Sequence, residues 1–238
     1  MREVTFKSVL HGVALRLGLD PGVNLQPNKA TALAEYISSD YREAYELFDW
    51  PEAYRSEERT ATGGVIPWTA TEREALGIVH SVWKGDPLAV DGTPPEEVAH
   101  ILAGGGIQLL GDDAALTSAW VVYRPQAPAF SATEWDDEGS YAVGDVVLYS
   151  DGYCYRKKAA GEVGVAPTVT SVWERVPFLY VLAEAVKLGA RAAALDEEEQ
   201  FSSAEKLRKR RNELLEQQAM IVMNQSGRSR LYRSTAAV

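Results

Sequence analysis

The feature that most constrains the fold is the aromatic-rich stretch from Glu134 to Val176. Within it, Tyr141–Tyr149 alternates large apolar residues with small or polar ones, which is the period of two that side chains follow along a β-strand. Ser150–Gly152 has the composition of a turn, and Tyr153–Arg156 returns with the same period. The stretch predicts a small β module whose core is filled by large aromatic side chains, above all Trp135 and Trp173.

This module resembles the small carbohydrate-binding modules of the chitin-binding type. The resemblance is carried by a Tyr-x-x-Gly-Asp-x-Val strand at Tyr141–Val147, a Gly-x-x-Tyr strand at Gly152–Tyr155 and the closing Trp173. It implies that sugar rings stack on adjacent exposed aromatic residues just after the second strand, but Arg156–Ala160 occupies that place. We therefore predict a structural role for Trp173 and no retention on chitin, and glycan binding remains an alternative.

Apolar residues recur at helical spacing at both ends of the chain. Near the N-terminus this spacing predicts a helix over residues 6–17 and a second helix that starts after Pro27, with Asn28 as its N-cap. Near the C-terminus a helix follows Pro177, and another begins at Ser202–Glu205, which has the form of a capping box.

Between these helix pairs, short apolar runs separated by Gly, Pro and Asp predict mixed β structure, with Pro94–Leu102 as a short helix or a loop. The predicted fold class is α+β: a four-helix bundle formed by the N- and C-terminal helix pairs and interrupted by inserted β domains. The predicted domains are the first helix pair at 1–54, the mixed β insertion at 55–128, the aromatic module at 129–176, the second helix pair at 177–223 and a mobile Arg-rich tail at 224–238.

Charge is unevenly distributed along the chain. Residues 201–238 hold eight Lys and Arg against three Asp and Glu, a net charge of +5, whereas the other residues carry -15. A basic terminus on an acidic body is typical of a partner-binding arm. The acidic body disfavours a nucleic-acid-binding regulator, which would need a basic surface across a folded domain.

Two charged clusters lie next to each other where the last two helices meet. The acidic junction, residues 196–199, consists of carboxylates, and the basic segment, residues 206–211, places cations at the start of the last helix, where they oppose the helix dipole. In a closed ring, the acidic junction of one subunit could face the basic segment of its neighbour; the alternative is neutralisation within one chain. The predicted inter-subunit residues are Asp196, Glu197, Glu198, Glu199, Lys206, Arg208, Lys209, Arg210 and Arg211.

The order of these parts resembles the head-to-tail adaptor, or neck and connector, proteins of tailed bacteriophages. In that family a helical bundle is interrupted by β insertions and ends in an Arg-rich tail. Three local signals carry the resemblance: Tyr41–Pro51 at the end of the second helix, the aromatic module, and Gly227–Arg233 in the tail.

The resemblance implies a virion protein, made in the host cytoplasm, that forms a ring of about 12 copies below the portal. The ring would bind the portal protein and a downstream tail or neck protein, and it would lie close to the packaged DNA without reading its sequence. The terminal arm would enter grooves of the portal ring through Arg228, Arg230, Leu231, Tyr232 and Arg233. The alternative for this arm is a frayed C-terminus.

Catalytic and metal-binding patterns are weak in this sequence. His11, His80 and His100 fall in unrelated segments, and Cys154 is the only cysteine, in a strand pattern that predicts a packed thiol. The sequence contains neither a secretory leader pattern nor an apolar run of membrane-spanning length. We therefore expect a soluble structural protein with no enzymatic activity, no cofactor, no metal and no membrane partner.

Overall fold

The structure is a computed structural model that describes residues 3–22, 25–68, 77–87, 95–103 and 106–226. It is a mixed α+β fold, as the sequence predicts, with four helices and eleven strands in small sheets among the described residues. Two compact units are distinguished by their internal contacts. One contains the described residues up to Glu52 together with those from Ala127 onward, and the other is Ala53–Gln126.

The elements follow the chain in the order helices, strands, helices. The helices are α1 (Phe6–Arg16), α2 (Pro27–Leu47), α3 (Tyr180–Glu197) and α4 (Phe201–Ser226). The strands are β1 (Glu3–Val4), β2 (Arg55–Thr60), β3 (Val65–Pro67), β4 (Ile78–Trp83), β5 (His100–Ala103), β6 (Gly106–Leu109), β7 (Ser118–Arg124), β8 (Val146–Leu148), β9 (Cys154–Lys157), β10 (Trp173–Val176) and β11 (Phe178–Leu179).

Helix α3 is the centre of the helical unit, because it packs against α1, α2 and α4. Its contact faces are rich in alanine, which lets neighbouring helices approach closely. The buried side chains that form this core include Val9, Val13, Leu33, Ile37, Ala44, Leu182, Val186, Ala190, Leu195, Ala204 and Leu215.

Two residues predicted as N-caps lie inside the first turn of their helices. Helix α2 begins at Pro27, whose fixed φ suits the first helical position, so Asn28 lies inside the first turn instead of capping it. Helix α4 begins at Phe201, and the N–H of Ala204 donates to the carbonyl of Gln200. Ser202 therefore lies in the first turn and is not the cap of a capping box.

An aromatic cluster joins the start of the chain to the start of α3. Strand β1 pairs antiparallel with β11, and Phe6 stacks on Phe130 with ring centroids 5.2 Å apart. Tyr41 and Phe178 complete the cluster, with centroids 5.0 and 4.9 Å from that of Phe130. Burial of these rings therefore fixes the backbone where the short strands β1 and β11 pair. The sequence shows no alternating pattern that predicts either strand.

The aromatic module is an antiparallel sheet in the order β10-β9-β8. Val147, Tyr155 and Trp173 form its buried core, and Trp135 packs against them. The module is attached to the helical part by its turn, since the N–H of Lys7 donates to the carbonyl of Gly152 at 3.0 Å. The side chains of Thr5 and Lys7 leave little room above the Gly152 Cα, where φ is +86°.

The unit formed by Ala53–Gln126 contains two three-stranded antiparallel sheets, β2-β7-β4 and β3-β6-β5. Its core includes Ile66, Trp68, Val82, Ile107 and Val121. The prediction of a short helix or a loop for Pro94–Leu102 is wrong at its end, because residues 100–103 form β5 and pair with β6. Pairing with β6 provides the backbone hydrogen bonds that a helix would otherwise supply.

Candidate assembly surfaces

Helix α4 buries one stripe, which is flanked by half-buried positions, and exposes its opposite side. The buried positions are Ala204, Arg211, Leu215 and Ala219, which recur at the three- and four-residue spacing of one helix face. Arg211 therefore occupies an apolar position, where a charge must find partners. This register was visible in the sequence, although the sequence could not identify those partners.

The partners of Arg211 are two carboxylates of α2. Its guanidinium lies 3.3 Å from Asp40 Oδ1 and 2.9 Å from Glu43 Oε1, and the arginine side chain is only 5% exposed. Gly189 of α3 makes this possible, because a Cβ at that position would overlap the Asp40 carboxylate. The sequence analysis missed Asp40, Glu43 and Gly189 altogether.

A cleft of about 220 Å³ opens beside this ion cluster, lined by Tyr36, Ser39, Asp40, Glu43, Gly189, Ala193, Arg208, Arg211 and Asn212. Burial away from water raises the pKa of Asp40 to about 6, against the opposing effect of Arg211. Asp40 Oδ2 and Arg211 Nε are buried without a hydrogen-bond partner. Equal numbers of carboxylates and guanidinium groups line the cleft, so it favours no charged ligand of either sign.

The acidic junction makes contacts within its own chain. Asp196 forms an ion pair with Arg208, and Glu198 accepts a hydrogen bond from Gln200 Nε2 at 3.1 Å. Glu197 raises the pKa of Tyr36 to about 12, mainly because it accepts a hydrogen bond from the protonated hydroxyl. Only the Asp196–Arg208 pair is a neutralisation of the kind that the intramolecular alternative expects, because the contacts of Glu197 and Glu198 are with uncharged groups.

Glu199 forms the turn between α3 and α4. Its φ is 59°, the only positive φ among the described residues other than glycine. The N–H of Glu199 donates to the carbonyl of Asp196 and that of Gln200 to the carbonyl of Leu195, at 3.0 and 2.9 Å. This is the Schellman pattern of a helix end, in which glycine is the usual residue at the left-handed position.

The basic segment divides into bound and unbound cations. Arg211 and Arg208 are held as described above, and Arg210 lies 3.1 Å from Glu213 on its own helix. Lys206 and Lys209 are exposed, and no ion pair is found for them among the described residues. These two lysines are therefore the part of the segment that remains available to another molecule.

The predicted portal-binding residues Arg228, Arg230, Leu231, Tyr232 and Arg233 lie outside the described residues. Helix α4 leads toward them and ends at Ser226. The three-residue turn at 198–200 makes α4 antiparallel to α3, and α4 has 26 residues against the 18 of α3, so this end lies beyond the start of α3. The acidic junction lies at the opposite end of the hairpin that α3 and α4 form.

The aromatic side chains of the module, residues 134–176, are buried or half-buried. Trp173 is 2% exposed, as the sequence predicts, and its indole N–H donates to the carbonyl of Val165 at 3.0 Å. Arg156, where a sugar-stacking ring would be needed, forms an ion pair with Glu174 across β9 and β10. Lys157 is buried, and its ammonium group donates to the carbonyl of Tyr141 at 2.7 Å.

The histidines and the cysteine have structural surroundings. His11 lies on α1, His80 contacts the Ser81 hydroxyl at 3.2 Å and His100 contacts the carbonyl of Val98 at 3.0 Å. The thiol of Cys154 is buried, and burial raises its pKa to about 12. In the part of the chain that the structure describes, no three His, Cys, Asp or Glu side chains come together as a metal would require.

None of the helices, within the described ranges, combines the length and the apolar character that a membrane crossing requires. No protein-family model matches this chain, and no curated protein matches it in sequence.

Proposed function

We propose that this protein is a structural head-to-tail adaptor of a tailed bacteriophage. About 12 copies form a ring that docks on the portal through the C-terminal arms, extends the DNA channel and supports the attachment of a tail or neck protein. The proposal places the protein in the neck of the virion, between the capsid portal and the tail.

The proposal includes one four-helix bundle built from both ends of the chain. Support comes from α3, which contacts the other three helices, and from the contact between α1 and α2. The compact unit Ala53–Gln126 enters the chain between α2 and α3. Such an insertion leaves the bundle uninterrupted in space, as the resemblance to adaptors implies.

The observation that carries the proposal is the length and surface of α4. It has 26 residues against the 18 of α3, so it extends about 12 Å beyond the hairpin at 1.5 Å per residue. Met220 and Ile221, near that end, are 57% and 48% exposed. A projecting helix with exposed apolar side chains, followed by arginines, suits attachment to an acidic and partly apolar groove.

Deletion of residues 227–238 tests the proposal. The thermal midpoint should change little, because α1–α4 keep their core, whereas docking onto portal-bearing capsids of the same phage should be lost. Docking is measured by co-sedimentation with the capsids, and the thermal midpoint by circular dichroism.

Matched substitutions separate the contributions of the arm. Replacing Arg228, Arg230 and Arg233 by alanine should weaken docking and reduce its dependence on salt, whereas Tyr232→Ala should weaken docking and leave that dependence in place. If the truncated chain docks as well as the full chain, the arm is a frayed end and attachment belongs to another surface. Micrographs of virion necks without this chain between portal and tail would refute the adaptor function itself.

The alternative function, a glycan-binding accessory protein, has less support. The aromatic side chains of the module are buried or half-buried, and Arg156 stands where the resemblance would place a stacking ring.

A further inference from the structure

Two outward helix faces of the helical unit carry charges of complementary sign. On α2, Glu35, Arg42 and Glu46 are exposed and lie on one stripe, since residues seven apart point only about 20° apart on a helix. On α4, Lys206 and Glu213 lie on one stripe for the same reason, with exposed Lys209 beside them. Both stripes point away from α3, because the buried residues of each helix lie on the opposite side.

Helices α2 and α4 run in the same direction. Tyr36 interacts with Glu197, whereas Asp40, one turn later, lies against Gly189, so α2 is antiparallel to α3. Helix α4 is antiparallel to α3 as well, as its three-residue connection requires. Two helices that are both antiparallel to a third are parallel to each other.

Arg211 contacts both the carboxylate and the main-chain carbonyl of Asp40, as well as the Glu43 carboxylate three residues later. It therefore sets the relative height of the two parallel helices to within about one turn. With the Asp40 contact as the reference, the offset between the helices is 171 positions in the chain. The same offset puts Lys206 at the height of Glu35 and Glu213 at the height of Arg42. It also puts Gln217 at the height of Glu46, so no like charges on the two stripes share a height.

A ring generated by rotation about an axis parallel to these helices preserves heights, so residues at equal height meet across the interface. We infer that the outer face of α4 binds the outer face of α2 on a neighbouring copy of this chain, with Lys206 against Glu35 and Glu213 against Arg42. The inference rests on the ring proposed above. In it the outer face of α2, and not the acidic junction, meets α4 of the neighbouring copy. Asp196 is already paired with Arg208, and Glu213 lies 3.1 Å from Arg210 of its own helix, so Arg42 of the neighbour would share the Glu213 carboxylate with Arg210.

Disulfide trapping between two single-site variants tests this pairing without any other protein. Glu35→Cys and Lys206→Cys, one of them carrying an added N-terminal affinity tag so that the two chains differ in mass, are mixed in equal amounts and oxidised at low ionic strength, and the disulfide-linked dimers are separated by mass. The native Cys154 is buried and should not react. The mixed dimer should exceed either homodimer at least tenfold, against the twofold excess of random pairing.

Matched controls separate an interface from random collision. Glu205→Cys, which points about 100° away from Lys206 on the same helix, should give only the random ratio with Glu35→Cys. Adding Glu213→Arg to the Lys206→Cys chain should lower the mixed yield, and adding Arg42→Glu to its partner should restore it. Unchanged thermal midpoints show that each variant is folded.

This interface is refuted if the dimers form in the random ratio. It is also refuted if the charge reversals Glu213→Arg and Arg42→Glu leave the yield of the mixed dimer unchanged. The adaptor function is tested by a separate measurement, because docking on portal-bearing capsids depends on the C-terminal arm and disulfide trapping does not. A chain that docks through its arm and shows no enriched mixed dimer would keep the proposed function and lose this interface. A chain that shows the enriched mixed dimer and does not dock would keep this interface and lose the proposed function.

Discussion

In the aromatic module, residues 134–176, the side chains that could recognise a ligand are used for the fold. Trp173 is buried, Lys157 is bound to the carbonyl of Tyr141, and Arg156 is paired with Glu174. In the α3–α4 hairpin only Arg211 is buried among the cations, whereas Lys206 and Lys209 remain exposed. The charged and aromatic side chains of the module thus stabilise its fold, and under the proposed function the exposed lysines of the hairpin belong to the surface for assembly.

The largest expected effect lies in the module. Trp173→Ala should lower the free energy of unfolding by about 3–5 kcal/mol, because it removes a fully buried aromatic side chain and leaves a cavity. Denaturant unfolding followed by tryptophan fluorescence and by circular dichroism measures the loss. The wild-type protein should show no retention on chitin beads.

The comparison would fail if chitin retained the wild-type protein and Trp173→Ala abolished that retention without unfolding the module. Trp135→Ala is the matched control, because Trp135 is only half-buried and its removal should cost less.

A smaller effect is expected at the ion cluster that holds the hairpin to α2. The folded chain binds the Asp40 proton with a pKa of about 6, above the ordinary value of 3.8, so protonation stabilises the folded state. The stabilisation is fully present below about pH 3.8 and is lost as the pH rises through about 6. Its upper limit is about 3 kcal/mol.

Asp40→Asn isolates this contribution from other titrating groups, because asparagine stays neutral at every pH. The free energy of unfolding of the variant, relative to wild type, should rise between pH 4 and pH 7. Denaturant titrations at several pH values measure the difference. A difference that falls over this range would show that attraction to Arg211 outweighs the burial of the carboxylate.

The smallest effect is expected at the turn of the hairpin. Glu199→Gly should raise the free energy of unfolding by about 1 kcal/mol, because glycine adopts the left-handed conformation without the crowding of a Cβ. Glu199→Ala removes the same carboxylate and keeps the crowding, so it should give no such gain. If both variants gain equally, repulsion among the acidic residues, and not backbone conformation, is the cost at this position.

Periodicity sufficed to predict the α+β class and the existence of α1–α4, since each helix carries a regular apolar stripe. It failed at β2, where the sequence Arg55–Thr60 is almost entirely polar and the strand is stabilised by pairing with β7. It failed at β1 and β11 as well, because two residues are too few to show any period. The start of α2 was missed because Pro27 outweighs Asn28 at the first turn.

The assembly surfaces were predictable only in part. The location of the cations in the first turns of α4 followed from the sequence, but the burial of Arg211 was not predicted. The partners of Arg211 were not predicted either, because Asp40 and Glu43 precede it by 171 and 168 positions. Only the packing of α2 and α4 on α3 brings these charges together and so determines which lysines stay unpaired.

The central position of α3 also sets an order for folding during synthesis. Helices α1 and α2 are complete at Leu47, yet the helix on which they pack ends only at Glu197, 150 residues later. At 5–20 residues per second, the ribosome needs on the order of ten seconds to make that stretch. Meanwhile Ala53–Gln126 and the aromatic module have already emerged, and each has a core formed by its own residues, so both can fold first. The emerging chain therefore keeps the apolar stripes of α1 and α2 uncovered for this interval, which makes them a natural target for a chaperone.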